Sequence, residues 1–170
     1  MPTQCLDFKT YSTVIGIDPG LSGGIACWKL DSSVTAYSTP PTEGDLLELL
    51  KTLIEPGKTI AFVEEVGGFA GKQQPGSAMF KFGRNFGFTL GVLQALGVRI
   101  ELVRPQKWQK PLSLGTASAC ASRSEWKNKL KACAQRLYPA LKPTLGTADA
   151  ILIMDYGLKS LSRRDDQTAH

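Results

Sequence analysis

The stretch Val14-Ile15-Gly16-Ile17-Asp18-Pro19-Gly20-Leu21-Ser22-Gly23-Gly24-Ile25-Ala26-Cys27-Trp28-Lys29-Leu30 governs the reading of this chain. Residues 14–18 are a short apolar run stopped by Pro-Gly, and residues 23–30 are a second. The pair therefore reads as a β-hairpin closed over the turn 19–22. Residues 33–38 add a third strand. Beyond the break Thr39-Pro40-Pro41, Thr42 is placed to cap a helix. Leu46, Leu47, Leu49, Leu50 and Leu53 give that helix an apolar stripe, with Glu43, Asp45 and Glu48 near its positive end. Pro56-Gly57 stops it, and residues 59–64 read as a buried strand ending in the acidic pair Glu64-Glu65. A glycine-rich loop, 66–76, follows.

Residues 77–96 are predicted to be helical even though Gly83, Gly87 and Gly91 recur every four residues. Such a stripe suits close packing against another element or a dimer seam. Residues 98–103 form a fifth strand, 105–111 a short turn or helix around Trp108, and 124–138 a basic amphipathic helix ended by Pro139. Thr147 caps a last helix running through Leu161. The order β-β-β-α-β-α-β-α-α implies an α/β layout with an antiparallel meander first and parallel crossovers afterwards.

At 170 residues the chain has the length of one domain, able to bury about 70% of its unfolded surface. With 42% hydrophobic and 21% charged residues it is expected to be globular, and no apolar run is long enough to span a membrane. Residues 1–12 and 161–170 are read as tails. The single histidine is the terminal His170, which argues against a Ser-His-Asp triad, a Cys-His pair or a His-ligated zinc site. Cys5, Cys27, Cys120 and Cys133 make no C-x-x-C pair and read as reduced, buried residues of an intracellular protein. Residues 99–142 carry ten Lys or Arg against Glu101 and Glu125, a surplus of eight positive charges, which leaves the rest of the chain at −3. That asymmetry suits a polyanionic partner or a solvated lysine-rich helix face.

Three acids stand where folding alone does not favour them. Asp18 and Glu64 each end an apolar strand, and Asp149 sits in the first turn of an almost wholly apolar helix. A buried carboxylate without a partner costs several kcal/mol, so each calls for a cation or hydrogen bonds. Mg²⁺, held by a few carboxylate oxygens, would satisfy all three. Two such ions about 3.5–4 Å apart can clamp the attacking and leaving oxygens of a phosphodiester. Each acid also has a plain structural role open to it, as a turn, edge or helix-dipole residue. Strand alternation lets only one of Glu64 and Glu65 join the site, and Asp155 lies off the helical face of Asp149. Residues 67–73 fail the phosphate-loop pattern G-x-x-x-x-G-K-[ST], since Val66 replaces the first glycine and Gln73 the hydroxyl, so nucleotide triphosphates are not expected ligands. Lys72 nonetheless stands among glycines that can approach a sugar-phosphate backbone. Phe69, Phe80, Phe82, Phe86 and Phe88 interleave with Lys81 and Arg84, most of the rings being assigned to the core.

Taken in order, Val14-Ile15-Gly16-Ile17-Asp18-Pro19-Gly20, Gly23-Gly24-Ile25-Ala26, Phe62-Val63-Glu64-Glu65, Val103-Arg104-Pro105 with Trp108 and Lys110, Leu137-Tyr138-Pro139, and Gly146-Thr147-Ala148-Asp149-Ala150-Ile151-Leu152 resemble the RuvC family of Holliday-junction resolvases. The likeness is greatest to the branch found in phages, some bacteria and chloroplasts, and it spans about residues 13–160. It implies an RNase H-like fold with a five-stranded mixed sheet flanked by helices. It further implies a homodimer that nicks two strands of a four-way DNA junction symmetrically, in DNA recombination and repair. Asp18, Glu64 and Asp149 would be the catalytic, metal-binding acids, with Mg²⁺, replaceable by Mn²⁺, as cofactor at two ions per site. Lys72, Lys81, Arg84, Arg104, Lys107, Lys110, Lys127 and Lys131 would hold DNA phosphates. The resemblance also implies a bacterial cytoplasm or nucleoid, a phage-infected cell or an organelle stroma as the setting.

One departure stands out. Members of the family carry a further metal-site residue, His or an acid, three or four positions before the last Asp. Here those positions are Gly146 and Leu145. Sugar-kinase and actin-like ATPases resemble the first thirty residues, but their cleft needs two lobes. A catalytically weak or inactive junction-binding protein and another RNase H-like nuclease are the remaining alternatives.

Overall fold

The computed structural model describes residues 11–65 and 76–168. Five strands, β1 (Thr13–Asp18), β2 (Gly24–Lys29), β3 (Val34–Ser38), β4 (Thr59–Glu64) and β5 (Arg99–Val103), form one sheet in the order β3-β2-β1-β4-β5. The meander β1-β2-β3 is antiparallel, and β4 and β5 join β1 in parallel, which is the mixed sheet expected. Five α-helices flank it: α1 (Glu43–Leu53), α2 (Gly76–Ala95), α3 (Pro105–Gln109), α4 (Arg123–Leu137) and α5 (Thr147–Thr168). Among the described residues no helix is long and apolar enough to cross a membrane.

Strand alternation divides the core in two. Ile15 and Ile17 of β1, Ile25 and Cys27 of β2, and Ala61 and Val63 of β4 face Leu46, Leu50 and Leu53 of α1 and Val92 and Leu93 of α2. On the opposite face, Val14, Ala26, Ile60 and Phe62 meet α5, whose residues 150–154 are all wholly buried; Trp126, Leu130, Cys133 and Ala134 of α4 cover that helix in turn. A helix buried on nearly every side accounts for the continuous apolar sequence Ala150-Ile151-Leu152-Ile153-Met154.

Contact between α5 and the sheet is close because two glycines permit it. A Cβ on Gly16 would stand 2.3 Å from the Ala150 carbonyl oxygen and 2.3 Å from the Met154 nitrogen, and one on Gly157 would stand 2.4 Å from the Phe62 ring. Gly16 meets backbone, which cannot rotate out of the way.

Several local expectations need correction. Thr42 caps α1 as read, accepting from the Asp45 N–H at 3.1 Å. The side chain that caps α5 is Thr144 rather than Thr147. Its hydroxyl accepts the Thr147 N–H at 3.1 Å while the Thr147 hydroxyl accepts the Thr144 N–H at 2.9 Å, a reciprocal box with Thr in the usual place of Glu. α5 also runs past Leu161, to Thr168. Gly83, Gly87 and Gly91 have open space where a Cβ would stand, so this stripe faces away from the other described residues. The phenylalanines of α2 divide: Phe86 and Phe88 are half-buried and pack against the core, Phe82 is half-buried, and Phe80 is 72% exposed. Cys27 and Cys133 are buried thiols, whereas Cys120 is half-buried, packed against the core and within reach of Lys129.

Gly16→Ala is expected to destabilise the fold by about 3 kcal/mol, the upper end of overpacking costs. For a chain of this size the melting temperature should fall by roughly 6–12 °C. Thermal and urea unfolding followed by circular dichroism measure both.

Candidate active site

The two-residue period that builds the core also carries the acids to one place. Asp18 follows Val14 and Gly16 on the α5 side of β1, and Glu64 follows Ile60 and Phe62 on the same side of β4. These strands are parallel neighbours paired Gly16 to Phe62 and Ile17 to Val63, so Asp18 and Glu64 lie at matching levels at the same sheet end. Asp149 enters from α5, one residue before the Ala150 carbonyl that rests on Gly16.

Electrostatic coupling among the three is direct. Burial raises the Asp18 carboxyl above its ordinary value, and the Asp149 charge raises it further; Lys127, the Gly20 N–H and Arg123 work in the opposite direction. Glu64 is pushed up to about 7, first by burial and next by Asp18, with a smaller upward push from Asp149. The Trp108 indole, wholly buried, donates to Glu64 Oε2 at 2.9 Å and offsets part of that shift, as does Lys127. Asp18 Oδ1 also accepts the Gly20 N–H at 3.3 Å, so the turn role and the site role coexist in one side chain.

Asp149 is 5% exposed, and its two oxygens differ sharply. Oδ2 accepts from Lys127 Nζ at 2.5 Å, whereas Oδ1 is buried without a hydrogen-bond partner among the described residues. Lys127 reaches it because Trp126, Leu130 and Ala134 turn α4 onto α5, which sets the adjoining position 127 beside the start of α5. Arg123 lies one turn earlier on the same helix flank.

The other residues singled out from the sequence are spread more widely. Glu65 turns away from Glu64 and accepts from Arg104 Nε at 2.9 Å. Arg84 Nε donates to Glu43 at 2.8 Å, and with Lys81 it lines an open groove of about 600 Å³ that reaches Asp18. Lys107 and Lys110 are exposed and Lys131 is half-buried. Lys72, Phe69 and the glycine-rich loop through residue 75 lie outside the described residues. Asp155 is engaged elsewhere, accepting from the Tyr138 hydroxyl at 3.0 Å and from Lys159 at 2.6 Å.

Hard carboxylate oxygens, two of them on carboxyls with raised affinity for protons and one an orphan, match the donor chemistry of a divalent cation such as Mg²⁺. Among the described residues, however, no three acidic, Cys or His side chains form a ready-made chelate. Position 146 cannot add a ligand either: a Cβ there would stand 2.6 Å from the Ser22 carbonyl oxygen, and Leu145 is apolar and half exposed. The three carboxyls, with Asp149 Oδ2 engaged by Lys127 and Oδ1 left over, are the donors that a cation would draw on.

No family model and no curated protein sequence matches the chain. Among solved structures, it is similar to RuvC of T. thermophilus in complex with a Holliday junction substrate. The TM-score is 0.57 and the identity 17%, over 88% of this chain and 96% of that one. A second Thermus thermophilus RuvC structure gives a TM-score of 0.55 and 19% identity, over 87% of this chain and 96% of that one. The chain therefore has an RNase H-like fold of the RuvC type, with the sheet order described above.

Because the folded state raises Glu64 from 4.5 to about 7, its contribution favours folding fully below pH 4.5 and is lost as pH rises through 7. In metal-free buffer, Glu64→Gln should therefore gain stability over wild type on going from pH 5 to pH 8. The expected gain is on the order of 2 kcal/mol, read from urea midpoints at the two pH values.

Proposed function

We propose that this RuvC-like chain is a structure-selective endonuclease that resolves four-way DNA junctions by divalent-metal-dependent phosphodiester hydrolysis, acting as a homodimer. The observation that carries the reading is the convergence of Asp18, Glu64 and Asp149 at one sheet end, from three elements, on a fold similar to that of a protein solved with a Holliday junction substrate.

In this reading Asp18, Glu64 and Asp149 would hold the cation, and a divalent ion bound there would supply positive charge to the scissile phosphate and ease formation of a nucleophile from water. Asp18 lines the same groove as Lys81 and Arg84, so a strand following the groove would bring a phosphate to Asp18. The Trp108 indole fixes one oxygen of Glu64 and leaves the other for the cation. Lys127 opposes the mutual repulsion of the acids before DNA arrives. Arg104, Lys107, Lys110 and Lys131, with Lys72, would neutralise phosphates of the junction arms, which positions the substrate without reading its sequence. The outward face of α2, with its Gly83, Gly87 and Gly91 stripe, would serve as the dimer seam. Two such sites would then make the paired nicks.

A junction-binding protein without cleavage is the second reading. Two observations favour it: Lys127 already engages Asp149, and position 146 offers no ligand.

With Mg²⁺ or Mn²⁺, wild type should cut a synthetic four-way junction by paired symmetric nicks and leave linear duplex intact on a denaturing gel. Asp18→Asn and Asp149→Asn should lower the rate at least about 10²-fold while junction binding persists. Binding without cuts in either metal would establish the second reading. Lys107→Ala and Lys110→Ala should each weaken junction affinity and reduce the slope of log K against log salt by about one, measured by fluorescence anisotropy.

A further inference from the structure

We propose that the site works with one divalent ion per chain and that the Lys127 ammonium stands in for the second. The inference rests on the nuclease reading for its purpose, but its geometry stands independently. Lys127 Nζ lies on Asp149 Oδ2 at 2.5 Å, its side chain 27% exposed and that of Asp149 7%. Its charge is felt by Asp18 and Glu64 as well as by Asp149, so it occupies the electrostatic position of a shared cation and is more than a surface ion pair.

Two further observations limit the number of metal ions. An enzyme with two ions needs ligands for each, and here three carboxylates are available, with one oxygen of Asp149 already taken. The position that could supply another ligand is closed, because Gly146 is held against the backbone of Ser22 and Gly23. The other buried oxygen, Asp149 Oδ1, has no hydrogen-bond partner among the described residues and is the one left for the single ion.

Charge balance agrees. Three carboxylates and one ammonium leave two negative charges, which one divalent ion neutralises. A second ion would need to displace Lys127 or be repelled by it. Lysine is suited to the substitution, since an ammonium has three donors: one is spent on Asp149, and two stay available for phosphate oxygens. In this assignment Lys127 touches the substrate phosphate when DNA is bound and Asp149 throughout.

Counting bound Mn²⁺ on the full chain without DNA tests this, using the electron paramagnetic resonance signal of the free aqueous ion. Wild type should bind one ion per chain and Lys127→Gln two, while Lys127→Arg, which keeps the charge, should return to one. Asp149→Asn should abolish tight binding. Two ions on wild type, none on wild type, or one still on a folded Lys127→Gln each overturn the proposal. If Lys127→Gln does not fold, the wild-type and Lys127→Arg counts decide: one ion on each supports the proposal, and two on either overturns it. The junction gel separates the two levels. A wild type that cuts junctions with two ions refutes the lysine assignment alone, whereas one that binds a single ion and cuts no junction refutes the nuclease reading alone.

Discussion

The contact of α5 with β1 at Gly16 is the constraint on which the rest depends. Backbone lies within 2.3 Å of where a Cβ would stand, so only glycine allows the helix to settle on the central strand. That approach sets the depth of α5 in the sheet, buries residues 150–154 against Val14, Ala26, Ile60 and Phe62, and fixes where Asp149 enters. Gly157 repeats the device two turns later against Phe62. Packing and chemistry are thus set by the same spacing. The helix cannot shift outward without leaving voids in the core, nor inward without meeting the backbone of β1.

Placing Asp18 and Glu64 at that point costs stability, since burial and the neighbouring carboxylate charges both favour their protonated forms. The raised Asp18 and the Glu64 value near 7 are the visible part of that cost. The fold offsets it from several directions. Trp108 donates to Glu64, the Gly20 N–H to Asp18, and Lys127 to Asp149, and Arg123 adds its field from one turn away. Asp149 also stands in the first turn of a long helix, where the backbone dipoles favour a negative charge. The compensation is incomplete, as the orphan Asp149 Oδ1 shows.

How much of this was legible in the sequence depended on range. The hairpin, the antiparallel meander and the α1 cap follow from alternation and turn chemistry over a few residues, and the structure agrees with them. Asp18, Glu64 and Asp149 could be singled out because an acid at the end of an apolar run is locally anomalous. Their partners could not: Trp108 and Glu64 are 44 residues apart, Lys127 and Asp149 are 22 apart, and a tryptophan or a lysine in those settings is locally ordinary. Thr144 was missed as the α5 cap because Thr147 is equally suitable by type, and only the reciprocal geometry distinguishes them. Most of the α2 phenylalanines were assigned to the core on hydrophobicity alone; Phe86 and Phe88 do pack against it, but α2 fully buries only Thr89, Val92 and Leu93, and Phe80 is exposed. Aromatic content says nothing about which flank of a helix the sheet will cover.

Position 146 links the same spacing to the composition of the site. The entry to α5 rests on the hairpin turn so closely that Gly146 meets the Ser22 carbonyl, and Gly24 in turn lies within 3.2 Å of the Gly146 carbonyl, measured from an added Cβ. The close approach that carries Asp149 toward Asp18 therefore leaves no room for a ligand one turn earlier. Any further positive or coordinating group has to come from an element that packs on α5 from its other side. α4 is that element: its buried stripe of Trp126, Leu130, Cys133 and Ala134 aims Lys127 at the acids. Lys127 and the bare backbone at 146 are then two consequences of one packing arrangement, with the charge absent from α5 supplied by its neighbour.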